Sequence, residues 1–364
     1  MKIVMANVGH GLCMLMESEK QYIQIDCGAG NNSFSKKACE SFFRNIYYFE
    51  WADKFILSHF HSDHYNGLLY LCKNKNRRFF YNLKDIYFPG IPKIVRDNED
   101  LGSKIFLYLL SINNRILGNS SGSMEYDFLE VMKCLNNTSF NYKPLFQGDI
   151  IEGTNIKVIW PPKKMFMNEE ISNKIVKAIE KFEEALEEDK KLAEIYERIM
   201  KNEKFFDYFH KEGIFKSKYR LEEEKILKRK KEELPEITKE ANTLLRKVAN
   251  YFSIGFYEGN KVLFMGDAEG YNIRHMVEYL KKENMDYFKY FIAPHHGTHW
   301  DDSLIDIIWD NLLVSKSGKY SLRKEYIRYS SNLFSKIFIT EYFGDIILPE
   351  IYKCFGISGI MAEC

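Results

Sequence analysis

His59-Phe60-His61-Ser62-Asp63-His64 places three imidazoles and one carboxylate within six residues. That donor mix suits zinc or another first-row divalent ion. The apolar run Phe55-Ile56-Leu57 just before it predicts a buried strand, and Tyr65-Asn66-Gly67-Leu68-Leu69 just after it predicts a turn opening a helix. Residues two apart on a strand share a face, so His59 and His61 can share one ion. Asp63 and His64 follow as the chain turns and can face a second ion beside the first.

Two further motifs stand where a predicted strand ends. Met265-Gly266-Asp267-Ala268 follows the run Val262–Phe264, and Ala293-Pro294-His295-His296-Gly297 follows Tyr290–Ile292. Strand ends that deliver ligands to one rim build a metal pocket on rigid elements. The glycines beside Asp267 and His296 let the backbone turn sharply there. Six of the nine histidines lie in or beside 59–64 and 295–299, so the histidines gather at these motifs.

The chain of 364 residues is long enough for one large domain or two small ones. Its formal net charge of +1 excludes a global basic field that would draw it to nucleic acid, so any such contact needs a local patch. Cys13, Cys27, Cys39, Cys72, Cys134, Cys354 and Cys364 are scattered, odd in number and without a CxxC pair. Reduced thiols in a cytoplasm are expected, not a disulfide framework. No charged leader with an apolar core precedes Lys2-Ile3-Val4-Met5, and no apolar run approaches the roughly 20 residues that span a bilayer. A soluble, cytoplasmic protein is expected.

Residues 1–60 predict two strands, a short helix and a third strand, with Ile3–Met5, Cys13–Met16 and Tyr22–Asp26 as the strands. Helical apolar spacing appears at Ile105–Leu117 and Tyr126–Leu135, and a Gly148-Asp149 turn leads to a strand at Ile156–Trp160. Residues 163–239 differ: they are charge-dense and nearly free of glycine. Ile171, Ile175, Ile179, Phe182 and Leu186 recur at helical spacing, and a second charged run, Lys216 to Glu233, follows Gly213. This reads as a helical insertion, drawn as an antiparallel hairpin, that is either a solvated arm, a partner-docking arm or a lid. It divides a first half, 1–162, from a second half, 240–364. In the second half, Tyr251–Phe256 and Lys261–Met265 predict a hairpin around Glu258-Gly259-Asn260. Helices follow near Ile273–Lys282 and Leu304–Asn311, with a strand at Leu312–Val314 and a late strand pair, Lys336–Thr340 and Asp345–Leu348.

In order and spacing, these motifs resemble the metallo-β-lactamase superfamily: HxHxDH at His59–His64, Gly266-Asp267, then a histidine after a strand. The branch they look most like is the soluble domain of the DNA-uptake protein ComEC. Val8-Gly9-His10-Gly11 is similar to its opening Val-Gly-Gln-Gly turn, and Ile25-Asp26-Cys27-Gly28 to its Ile-Asp-Thr-Gly. His295-His296-Gly297-Thr298 is similar to its His-His-Gly-Ser. The resemblance spans residues 1–162 and about 240–348 and leaves out the insertion.

The resemblance implies an α/β fold, an αββα sandwich with one or two divalent ions, zinc or manganese, at the sheet edge. Carried over, His59 and His61 hold one ion, Asp63 and His64 the second, Asp267 bridges both, and His295 completes the second. The superfamily takes one more histidine for the first ion from between the HxHxDH and Gly-Asp motifs. Here the sole histidine in that interval is His210, inside the insertion. His10 stands where the branch has Gln and is either an added ligand, a proton carrier or a supporting residue.

The implied chemistry is metal-dependent hydrolysis. Asp63 holds the attacking water and accepts its proton, and His296 or His299 protonates the leaving group. Asp26, Ser315 and Thr340 are candidates to orient ligand histidines. The branch points to a phosphodiesterase or nuclease acting on DNA, in defence or DNA processing. A small-molecule hydrolase (cyclic nucleotide, lactone or thioester) and a partner-activated subunit of a larger complex remain as other readings. Lys316, Lys319, Arg323, Lys324 and Arg328 either track a phosphate backbone or solvate a helix, with Tyr320, Tyr326 and Tyr329 interleaved.

Overall fold

Alternation along the strand Val262–Phe264 separates the layers of the molecule: Val262 and Phe264 face one core, Leu263 another. A strand buried on both faces in this way belongs to the middle of a layered α/β fold. The computed structural model describes residues 1–29, 52–73, 83–96, 99–116, 141–165, 168–201, 215–216, 234–316, 318 and 321–349.

Two mixed sheets pack face to face, the sandwich expected from the sequence. The first has eight strands in the order Phe215–Lys216, Asn141–Leu145, Asp85–Pro89, Lys54–Ile56, Gln21–Cys27, Cys13–Ser18, Ile3–Met5 and Ile346–Leu348. The second has six: Lys336–Ile339, Ile308–Val314, Tyr287–Ile292, Val262–Phe264, Gly255–Glu258 and Ile156–Trp160. Met5, Met14, Ile23, Ile25 and Ile56 of the first sheet meet Val158, Phe256, Phe264, Ile292 and Leu313 of the second in one buried core. The hairpin around Gly259 forms as expected, with Phe256 opposite Phe264.

The outer face of the second sheet carries a second core. Leu263, Phe291, Trp309 and Leu312 bury against helices Leu101–Ile116, Glu169–Glu188, Glu236–Ala249 and Gly270–Lys282. The charged segment takes part in this core. Ile171, Ile175, Ala178, Ile179, Phe182 and Ala185 are all buried there, and Phe182 stacks on Tyr108 at 4.0 Å between ring centroids. Asn168 caps the first helix by accepting from the Ile171 N–H, and Asp189 caps the next, Lys190–Met200, by accepting from Leu192. Its described helices are therefore an amphipathic layer packed on the sandwich, not a solvated arm. The charges line the outward face.

Three expectations change. The helix expected near Leu304–Asn311 is a short 3₁₀ turn, Asp302–Asp306, followed by the strand Ile308–Val314. Trp309 is buried between exposed Ile308 and Asp310, a period of two that parallel pairing on both sides reinforces. The late strands do not pair with each other. Lys336–Ile339 edges the second sheet, whereas Ile346–Leu348 pairs with Ile3–Met5 in the first. The turn through Gly344, at φ 73°, carries the chain between sheets. Tyr251–Phe256 is a 3₁₀ turn, Asn250–Phe252, before the strand that starts at Gly255. The short helix expected within residues 1–60 is not among the described residues there. The helix expected at Tyr126–Leu135, the run from 217 to 233, His210, Lys319 and Tyr320 lie outside the described residues. Among the described residues no helix is long and apolar enough to cross a membrane.

Candidate metal centre

Val262–Phe264, Tyr287–Ile292 and Ile308–Val314 run parallel in register, Phe264 beside Ile292 and Ile292 beside Leu313. Their carboxyl ends therefore open on one rim, the usual place for a site in an open α/β sheet. They deliver Asp267, then His295 and His296, then Ser315. Lys54–Ile56 of the facing sheet delivers His59, and the Ile254 N–H donates to the Ser58 carbonyl at 2.8 Å, joining the sheets beside the site. The helix Ser62–Lys73 begins earlier than the sequence predicted, so Asp63 lies in its first turn. Gly28 lies directly beneath that turn: a Cβ there would meet the Asp63 carbonyl oxygen at 2.2 Å.

His295 and His296 both adopt left-handed backbone, φ 48° and 56°, a conformation costing about 1–3 kcal/mol for each non-glycine residue. It turns His296 inward. Three groups of donor atoms result, each with all atoms within 4.8 Å of one another: His59, His61 and Asp267; His64, Asp267 and His296; His10, Asp63 and His296. Asp267 and His296 each belong to two groups, so the three form one continuous cluster.

Among the described residues His295 is in none of these groups. Its Nε2 is 4.0 Å from Asp267 Oδ2, and its Nδ1 is 3.1 Å from His299 Nδ1. His295 and His299 form a pair at the mouth, while His296 occupies the inward place.

The ring nitrogens are held from behind. A carbonyl can only accept, so the contact of His296 Nδ1 with the Ser315 carbonyl at 3.0 Å puts a proton on Nδ1 and turns Nε2 toward the cluster. Ser253 Oγ lies 3.0 Å from His59 Nδ1. Asp26 Oδ2 lies 2.7 Å from His64 Nδ1, and Asp26 in turn accepts from the Ser58 N–H at 2.7 Å and from the Ser58 hydroxyl. The donor atoms facing the cluster, His59 Nε2, His61 Nε2, His296 Nε2 and Asp63 Oδ1, are buried without a hydrogen-bond partner. Each such atom costs about 1–3 kcal/mol unless something satisfies it. A divalent cation would satisfy all of them, and supporting bonds to the other ring nitrogen are what ligating histidines have.

Electrostatics agree. Burial, then the neighbouring His61, holds His59 well below the ordinary histidine range, and burial, then Arg246, does the same for His61. This favours the neutral form, the one in which a histidine ligates a metal. Burial also lowers His10, to about 4, with His296 adding to the effect. Burial opposes ionisation of Asp267 and Asp63. For Asp267 it is overcome by His64, His295 and His296, and for Asp63 by His64 and His296. Burial likewise opposes charge on His64, yet Asp267 and Asp26 outweigh it and raise its pKa well above the usual value.

Of the expected orienting groups, Asp26 meets a histidine by its side chain and Ser315 by its carbonyl. Thr340 instead accepts from the Lys316 N–H at 3.0 Å. Lys316 is buried, with Nζ 3.0 Å from Glu341, and Arg323 pairs with Glu325 at 3.2 Å. Tyr326 is buried and donates to the His299 carbonyl at 2.7 Å. Arg323, Lys324 and Arg328 are exposed. The sequence reading missed Ser58, Ser253 and Arg246. Ser58 adjoins the histidine motif and could have been suspected. Ser253 and Arg246 carry no local signal, because the helix and turn of residues 236–252 bring them to the site.

No protein-family model matches the chain, and no curated protein matches it. Among solved structures, the metallo-β-lactamase fold protein YhfI from Bacillus subtilis is 10% identical, over 95% of this chain and 99% of that one, with a TM-score of 0.39. Tm1679, a metal-dependent hydrolase of the β-lactamase superfamily, is 13% identical, over 96% and 98%, with a TM-score of 0.40. Likeness this distant says nothing of activity.

Proposed function

We propose that this chain is a metal-dependent hydrolase that cleaves phosphodiesters, with DNA as its substrate. The observation that carries the reading is the convergence of His59, His61, His64, Asp63, Asp267 and His296 into one cluster, in which His59 Nε2, His61 Nε2, His296 Nε2 and Asp63 Oδ1 are buried without a hydrogen bond. The residues fit two divalent ions. His59, His61 and Asp267 would hold the first. His64, Asp267 and His296 would hold the second, with Asp63 beside it. Zinc or manganese would lower the pKa of a water and polarise the phosphoryl oxygen.

The chain's own groups supply the rest. Asp63, an ionised carboxylate at the cluster, orients the attacking water and accepts its proton. His296 turns Nε2 toward the cluster as a donor atom, so protonating the leaving group falls to His295 at the mouth, whose Nδ1 lies 3.1 Å from His299 Nδ1. The exposed Arg246 acts electrostatically on both His61 and Asp63, which supports a role for its guanidinium in attracting an anionic diester. The ComEC-like motifs support DNA as the diester.

One observation favours a small diester such as a cyclic nucleotide instead: Lys316 and Tyr326 are buried rather than lining a groove. The deciding experiment strips the metal, restores Mn²⁺ or Zn²⁺, and offers labelled single- and double-stranded DNA, RNA and cyclic dinucleotides. Metal-dependent cleavage of DNA that vanishes in Asp63→Ala supports the nuclease. Cleavage of the cyclic substrates alone favours the small-molecule reading. No cleavage of any diester removes the phosphodiesterase reading.

A further inference from the structure

We propose that His10 is a ligand of the second ion, so that this site is imidazole-rich and selects zinc over manganese. The inference rests on the two-ion reading above and extends it to a residue outside the three motifs. His10, Asp63 and His296 bring one donor atom each within 4.8 Å of one another, and the His10 and His296 rings lie 4.4 Å apart between centroids.

The turn that carries His10 is fixed to the rest of the site at several points. The Leu12 N–H donates to the Asp63 carbonyl at 3.3 Å. Ser315 Oγ donates to the Gly11 carbonyl at 2.6 Å, and the Ser315 carbonyl is the group that holds His296 Nδ1. Gly11, at φ +132°, lies so close to Asp63 that a Cβ would meet its carbonyl oxygen at 2.7 Å. The turn carrying His10 is therefore tied to the backbone of Asp63 and, through Ser315, to the ring of His296, as a preorganised ligand set requires. Ring packing alone would hold His10 against His296, but it would not require an acidic third partner. Asp63 supplies one, and its Oδ1 is buried without a hydrogen bond.

The triad of His10, Asp63 and His296 shares His296 with the triad of His64 and Asp267, so an ion held there would take His10 and His296 as imidazoles beside Asp63. Imidazole suits zinc, whereas carboxylate and water suit manganese. His10 therefore biases the choice of metal at this one site.

The test titrates the metal-stripped full-length chain with Zn²⁺ and Mn²⁺ by calorimetry, and with Co²⁺ by its visible absorption. The unsubstituted chain, His10→Gln and His10→Ala are compared, with circular dichroism confirming the fold. His10→Gln guards against a packing defect in the alanine variant. The expected result is two Zn²⁺ per chain, with the weaker site losing about 10–100-fold in affinity in both variants and the tighter site unchanged. Mn²⁺ affinity changes less, and the Co²⁺ spectrum of the second equivalent alone shifts. Second-site Zn²⁺ affinity that is unaltered in both variants overturns the role of His10 and leaves the two-ion reading standing. An unsubstituted chain that binds one ion only also overturns it, and one that binds none overturns both.

Discussion

Asp26 accepts from His64 at 2.7 Å, and this bond fixes which nitrogen of His64 faces the cluster. With the Nδ1 proton committed to Asp26, Nε2 presents a lone pair 3.2 Å from Asp267 Oδ2. Two acceptors face each other there, so a proton or a metal ion must stand between them. Asp26 thus governs the second ion without touching it. Asp26 itself has φ 51°, a conformation asparagine tolerates, so Asp26→Asn changes the charge and spares the turn. Second-site zinc affinity should fall about 10–100-fold, read by chelator competition, with the thermal transition of the metal-free chain still cooperative. Unchanged affinity would remove Asp26 from the site's support.

Arg246 should act on substrate and not on the fold. It is exposed, and its influence reaches His61 and Asp63. Arg246→Ala should lower kcat/KM for a diester about tenfold, mainly through KM, as loss of one charge-assisted contact of about 1.5 kcal/mol. Metal stoichiometry should not change. A variant with normal KM and reduced kcat would place Arg246 in the chemical step instead.

Phe182 tests whether the charged segment belongs to the core. It is fully buried, stacked on Tyr108, and sits on the helix Glu169–Glu188. Phe182→Ala should destabilise the chain by about 3–5 kcal/mol in denaturant unfolding, as truncation of a core aromatic does. A loss under about 1 kcal/mol is what a solvated arm would give.

The motifs that form the histidine and aspartate cluster were legible in the sequence because their spacing is local: three histidines and an aspartate within one strand-to-helix turn, and Gly-Asp and His-His-Gly after apolar runs. Local spacing did not separate His295 from His296. That depends on two consecutive left-handed residues, and neither residue type demands that conformation. The charged segment misled for a similar reason. Its isoleucines marked a buried face, but its Lys and Glu content hid how fully Phe182 and Ala185 would be enclosed. Ser253 entered the site only through the tertiary path of the helix before it, and no spacing in the sequence encodes that path.

Opposite protonation of neighbouring histidines is the last expectation, for the metal-free chain. His59 and His61 are held below their unfolded value near 6.5, so the unfolded chain takes up protons that the folded chain refuses. Their contribution to stability is present above about pH 6.5 and is lost as pH falls from there towards their folded values. His64 has the opposite sign. Its raised pKa gives stability that is full below about pH 6.5 and is lost as pH rises through the folded value. Imidazole resonances at neutral pH should therefore show His64 protonated and His59 and His61 neutral. Adding zinc should displace the His64 proton and release it to solvent, detectable as proton uptake by the buffer in calorimetry. A neutral His64 in the metal-free chain, or zinc binding without proton release, would mean that Asp26 and Asp267 do not hold His64 protonated.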